Sequence, residues 1–142
     1  MTINNKEDVI YLENDCLLPI FIVKNKQWSE LIDLDVSINF GMSIQNGFAN
    51  GYVCIPSWHP YYLKNYTDIP VNVHGGLSFS AYDKQKNMWV IGFDTFHYND
   101  NINNCSFDFV KEQTFFLREQ CMNIKEVQRF LKIKKILNKK NE

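Results

Sequence analysis

All three histidines of this 142-residue chain lie between residues 59 and 97. They sit in the phrases Trp58-His59-Pro60, Val73-His74-Gly75-Gly76 and Gly92-Phe93-Asp94-Thr95-Phe96-His97. Imidazoles gathered around the Asp94 carboxylate can hold a divalent transition metal that activates water. The same set can also do general acid–base work, with Asp94 orienting His74 or His97. No H-E-x-x-H pair and no Cys/His finger spacing is present. Ser78 and Ser80 are near but lack the G-x-S-x-G elbow, which argues against a hydrolase triad. A third outcome is equally physical, in which each histidine is hydrogen-bonded within its own part of the core.

Gly75 and Gly76 interrupt a run, "VNVHGGLSFSAY", that otherwise alternates like a strand. A glycine there costs about 0.5–1 kcal/mol relative to alanine, so something must offset it. A β-bulge bending the sheet is one reason. Close approach of a ligand or another main chain is another, since paired amides beside a histidine suit phosphate or carboxylate oxygens. Upstream, Trp58, Tyr61 and Tyr62 crowd the loop that carries His59, with Lys64 beside them. Two or three such rings can stack on a purine while the lysine and the glycine amides meet its phosphates.

The elements that must position these groups are legible from periodicity. "LPIFIVKN" (18–25) reads as a buried strand, and "KQWSELIDL" (26–34) as a short helix with Trp28, Leu31 and Ile32 on one side. At least one of the two Asn-Gly pairs of "NGFANGYVCIP" should mark a turn into a strand stopped by Pro56. Residues 57–70 have neither period and form an ordered loop. Two alternating runs, 71–82 and 88–94, joined by "DKQKN", make a hairpin. In the second, Trp89, Ile91 and Phe93 share one face, with Val90, Gly92 and Asp94 on the other. Pairing would bring His74 and Asp94 onto the face away from the helices, with His97 and His59 at its edge.

The period then changes. Val110, Thr114, Leu117 and Cys121 repeat at helical spacing, with Phe109 and Phe116 extending the stripe, and Ser106 and Asp108 supply acceptors for the first turn. Asn123 and Glu126 resemble a capping box opening a last helix striped by Val127, Phe130, Leu131 and Leu137. Strands first (18–97) and helices last (107–138) give an α+β class: a mostly antiparallel sheet with one or two C-terminal helices packed on one face, in a single domain over 1–142.

A net charge of −1 predicts no strong pull toward nucleic acid or membrane. The average hides a basic C-terminal segment, read as a solvated helix face or a contact for an acidic partner. No C-x-x-C pair, no signal-peptide pattern and no run of about 18 apolar residues occurs, so a reduced, cytoplasmic protein with free thiols is expected. An aromatic-rich sheet is compatible with a homo-oligomer.

The ordered phrases Gly51-Tyr52-Val53, Pro56, His59-Pro60, Val73-His74-Gly75-Gly76, Gly92-Phe93-Asp94 and His97 resemble a family of small, uncharacterised bacteriophage and bacterial proteins. The resemblance covers about a third of the chain and implies one shared pocket. It also implies a phage context, with the host cytoplasm as the location and counter-defence capture of a host nucleotide signal as a role. The resulting expectation is a protein that binds a nucleotide-like small molecule through His59, His74, Gly75, Gly76, Asp94 and His97, with Trp58, Tyr61, Tyr62 and Lys64 beside them. The alternative is a small metal-assisted or acid–base hydrolase of a nucleotide-like substrate, with a divalent metal as its cofactor. A protein-interaction module is the third reading.

Overall fold

The computed structural model describes residues 8–26 and 45–140. The helix expected from Trp28, Leu31 and Ile32 lies outside them. Five strands form one antiparallel sheet: β1 (Val9–Glu13), β2 (Ile20–Lys24), β3 (Ala49–Ile55), β4 (Phe79–Asp83) and β5 (Met88–Phe93), in the order β1-β2-β3-β5-β4. Two helices follow, α1 (Phe107–Met122) and α2 (Lys125–Lys140), which completes the α+β architecture expected from the sequence.

The central strand explains the layering. Every residue of β3 is buried, so both faces of the sheet are apolar there. Toward α1, Ile20, Ile22, Val53, Ile55, Ile91 and Phe93 meet Val110, Leu117 and Cys121. On the other face Phe21, Tyr52, Cys54 and Val90 form a second cluster, with Phe21 stacked on Tyr52 at 4.8 Å. Each fully buried Val, Leu, Ile or Phe contributes about 1.5–3 kcal/mol of transfer free energy. The expected alternation of Trp89, Ile91 and Phe93 against Val90 holds along β5.

α1 starts where its sequence says. The Ser106 side chain accepts from the Phe109 amide, and Val110, Thr114, Leu117 and Cys121 are its buried stripe. Phe116 departs from expectation and is exposed, because its position has rotated off the core side. The Thr114 hydroxyl donates to the Val110 carbonyl at 2.7 Å, which removes the need for any other partner in the apolar layer.

Two strand expectations are corrected. β1 precedes residue 18, where no strand was expected; its short, half-exposed edge pairing with β2 carries a register shift between Val9 and Tyr11. The first strand of the hairpin begins at Phe79 rather than Val71. Residues 71–78 are instead strapped over α1: the Gln120 side chain bonds both the amide and the carbonyl of Asn72, and the Gln113 side chain accepts from the His74 amide. Side-chain amides on the helix thus replace the ladder that a neighbouring strand would supply. The hairpin turn itself is as read, with Asp83 accepting from the Gln85 and Lys86 amides.

Candidate functional site

The straps and loops around the start of α1 gather a mixed set of donors. His74 Nε2 lies 3.0 Å from Asp100 Oδ1 and 3.1 Å from Oδ2. Cys105 Sγ lies 3.6 Å from His74 Nε2 and donates to Asp100 Oδ1 at 3.5 Å. His97 closes the group from the other side. Its amide donates to Asp100 Oδ2 at 2.9 Å and its Nδ1 lies 2.8 Å from the same oxygen. His97 Nε2 is 3.6 Å from Asp94 Oδ1, which gives an Asp94–His97–Asp100 chain. The His74 ring meets His97 and Phe109 edge to face, with centroids 5.2 and 5.3 Å away.

Each donor is fixed by local chemistry. Residues 99–104 form an asparagine-rich loop of side-chain-to-backbone bonds. Asn101 Oδ1 accepts from the Asn103 and Asn104 amides, and Asn104 returns a bond to the Asn101 amide. That turn chemistry suits Asn, whose side chain mimics a backbone carbonyl. Cys105 is pinned on both sides, its amide to the Asn101 carbonyl and its own carbonyl to the Phe48 amide. Behind it, buried Asn25, Asn50 and Thr95 bond to one another and tie the ends of β2, β3 and β5 together.

The glycine pair resolves differently from either expected reason. It forms a reverse turn, with the Gly76 amide donating to the Val73 carbonyl at 2.8 Å and φ of +68° at Gly75 and +81° at Gly76. A Cβ on Gly75 would fall 2.1 Å from His97 Cε1. The close neighbour is therefore an imidazole of the same chain, and the missing side chain lets His97 reach Asp100.

His59 does not join the group. Its Nδ1 accepts from the Tyr61 amide at 3.0 Å, so the proton sits on Nε2, which donates to the Cys121 carbonyl at 2.9 Å. That carbonyl is one of the orphans at the C-terminus of α1. Phe109, which touches His74, lies twelve residues earlier on the helix, roughly 18 Å along its axis. The expected stacking platform goes with His59. Trp58 is stacked on Phe130 at 4.2 Å, Tyr61 is in the core, Tyr62 is half-buried against it, and exposed Lys64 offers its carbonyl to Trp89 Nε1. The physical reason is that the 57–64 loop covers the far end of α1. The expected cluster thus keeps His74, Asp94, His97 and the Gly75–Gly76 turn. It loses His59, Trp58, Tyr61, Tyr62 and Lys64, and gains Asp100 and Cys105.

His59 gives a pH dependence of its own. Burial pushes its pKa below the usual 6.5, against the opposing pull of the Cys121 carbonyl. The unfolded chain therefore takes up a proton before the folded one does, and stability is lost as pH falls below about 6.5. Denaturation midpoints measured from pH 7.5 to 5 should decline more steeply for the native protein than for His59→Gln. Equal slopes would remove His59 as the cause.

Electrostatics at the gathered donors favour a cation. Burial opposes ionisation of Asp100, yet the His97 amide and the two imidazoles outweigh it and hold the carboxyl below its usual range. Burial, followed by the Asp100 charge, pushes the Cys105 thiol up to about 11. A thiol so protonated is a poor nucleophile. His74 Nε2, the nitrogen nearest it, is already committed to Asp100, so a Cys–His nucleophile has no free base. Within reach of a metal ion the same thiol is deprotonated outright. Neither Asp100 nor Cys105 was singled out from the sequence; the only signal was His-x-x-Asp followed by a cysteine in a polar loop. Protein-family models, curated proteins and solved structures returned no match to this chain.

Proposed function

We propose that this protein binds a transition metal of the zinc class, with His74 Nε2, Asp100 Oδ1 and Cys105 Sγ as its ligands. The observation that carries the reading is the triangle they form: edges of 3.0, 3.6 and 3.5 Å for N–O, N–S and O–S. Three tetrahedral zinc bonds of ordinary length to N, O and S give edges of about 3.3, 3.6 and 3.5 Å. Only the His74–Asp100 edge has to widen, by about 0.3 Å. A set containing thiolate and imidazole selects zinc, cobalt or nickel over magnesium or calcium. Asp100 Oδ2, held by the His97 amide and ring, leaves Oδ1 to ligate. Such a supporting shell is what orients a ligating carboxylate.

Three protein ligands leave a tetrahedral ion one position for water, and His74 and His97 both reach solvent, which suits metal-assisted hydrolysis better than capture by stacking. Two carboxylates repel phosphate until a cation offsets them, and the rings expected to stack, Trp58, Tyr61 and Tyr62, lie at the other end of α1. A nucleotide-like substrate would therefore engage this site through the metal.

Elemental analysis of the purified protein, with cobalt substitution read by the thiolate-to-cobalt charge-transfer band, tests the centre. Turnover of a nucleotide panel by the zinc-loaded protein tests the hydrolytic part. Metal without turnover would keep the centre and remove the hydrolase. Because Cys105 must release a proton, the apparent zinc affinity should rise by about tenfold per pH unit between pH 6 and 8, measured by competition with a chromophoric chelator. A flat profile would mean that the thiol is not a ligand.

A further inference from the structure

The last helix leaves the body partway along its length. Val127 is buried, Phe130 stacks on Trp58 and Leu131 is half-buried, but every residue from Lys132 to Lys140 is exposed. α2 carries seven Lys/Arg against one Glu, a net +6, while the other described residues carry seven Lys/Arg against ten Asp/Glu, a net −3. Among the described residues charge is thus separated, and the exposed end of α2, Lys132 to Lys140, holds five lysines and no carboxylate.

At about 100° per residue, Lys125, Arg129, Lys132, Lys135 and Lys139 fall within roughly 120° of arc. Phe130, Ile133 and Leu137 form the adjoining sector. Ile133 and Leu137 are 53% and 54% exposed, and Ile136, at 55%, lies among the cations. On the cationic side Asn123, Lys125, Gln128, Arg129 and Lys132 line an open hollow of about 350 Å³.

We infer that α2 docks this protein on an anionic phospholipid surface, with headgroup phosphates against the lysine face and Ile133 and Leu137 at the acyl boundary. A helix with a strongly basic face, an adjoining apolar sector and low mean hydropathy lies in the plane of such an interface. No helix among the described residues is long and apolar enough to cross a membrane, so the contact is a surface one. Charge opposes a helix-to-helix pairing of two copies, because two +6 helices repel. Nucleic acid would leave the apolar sector without a partner, and α2 holds a single arginine for phosphate forks. The described residues outside α2, at a net −3, are not attracted by the same surface, which favours an approach with α2 foremost. The chain's −1 total gives no hint of this.

The test is co-sedimentation of the full chain with phosphatidylcholine vesicles, with and without about one-third phosphatidylglycerol. The expected result is partition onto the anionic vesicles alone, weakened by salt. Lys132→Glu/Lys135→Glu/Lys139→Glu should reduce it roughly a hundredfold, and Ile133→Ser/Leu137→Ser about tenfold. Both variants change only exposed positions, so circular dichroism and zinc content should match the native protein. Absence of partition onto anionic vesicles would overturn the inference. So would partition that the lysine variant abolishes and the Ile133/Leu137 variant leaves unchanged; that pattern is simple attraction to polyanions, shared by nucleic acid and acidic proteins.

Discussion

Cys105→Ser should bind zinc about a thousandfold or more weaker than the native protein, beyond the 10–100-fold loss typical when an outer partner of a ligand is removed. The hydroxyl that replaces the thiol is a little shorter and far harder to deprotonate, so the tetrahedral triangle loses its sulfur corner and its strongest bond. The cobalt-substituted variant should lack the thiolate charge-transfer band altogether. His74→Ala should show a comparable loss of affinity while keeping that band at saturating cobalt. His97→Ala belongs to the weaker class: it frees Asp100 Oδ2 without removing a ligand, and the affinity should fall by about 10–100-fold. The ranking of the three variants carries the information. Equal, small effects in all of them would mean that the donors are only hydrogen-bonded to one another, and the metal reading would fall.

The second large effect is on stability. Gly51 lies in the central strand opposite Phe93, directly beneath α1. A Cβ there would stand 2.0 Å from Thr114 Oγ1 and 2.6 Å from Phe93 Cε1, closer than atoms can approach. Neither neighbour can yield easily. Thr114 is fully buried on the helix stripe and bonded to Val110, and Phe93 is 1% exposed. Gly51→Ala should therefore cost about 3 kcal/mol, at the upper end of overpacking, and lower the melting temperature by roughly 10 °C. Adding Thr114→Ala removes the nearer clash and should recover part of the loss. The two changes would then be non-additive, as expected for residues in contact. A melting temperature within about 2 °C of native for Gly51→Ala would show that α1 can lift from the sheet at little cost.

The pattern of success follows from the range of the interactions. Val110, Thr114, Leu117 and Cys121 are spaced by the helical period, so the buried side of α1 was written locally, as was its Ser106 cap. Trp89, Ile91 and Phe93 alternate against Val90, and two-residue periodicity fixed both faces of β5. These local signals were sufficient for the α+β class. They did not reach the site, because its donors come from segments with no period: a turn at 73–76 and an asparagine-rich loop at 97–105. Asp100 and Cys105 lie 26 and 31 residues beyond His74, and only packing of both segments on the start of α1 brings them to the same oxygen and nitrogen.

His59 shows the converse. In the chain it is nearer to His74 than Cys105 is, and residue type gave no reason to separate them. The fold sends it to the opposite end of α1, where an unpaired carbonyl needs a donor. Sequence alone determined the buried stripe and the Ser106 cap of α1 and the two faces of β5, and it offered His74, Asp94 and His97 as candidates for chemistry. The tertiary structure decided which of them meet, since convergence depends on how aperiodic loops cross one helix, and no short-range pattern encodes that crossing.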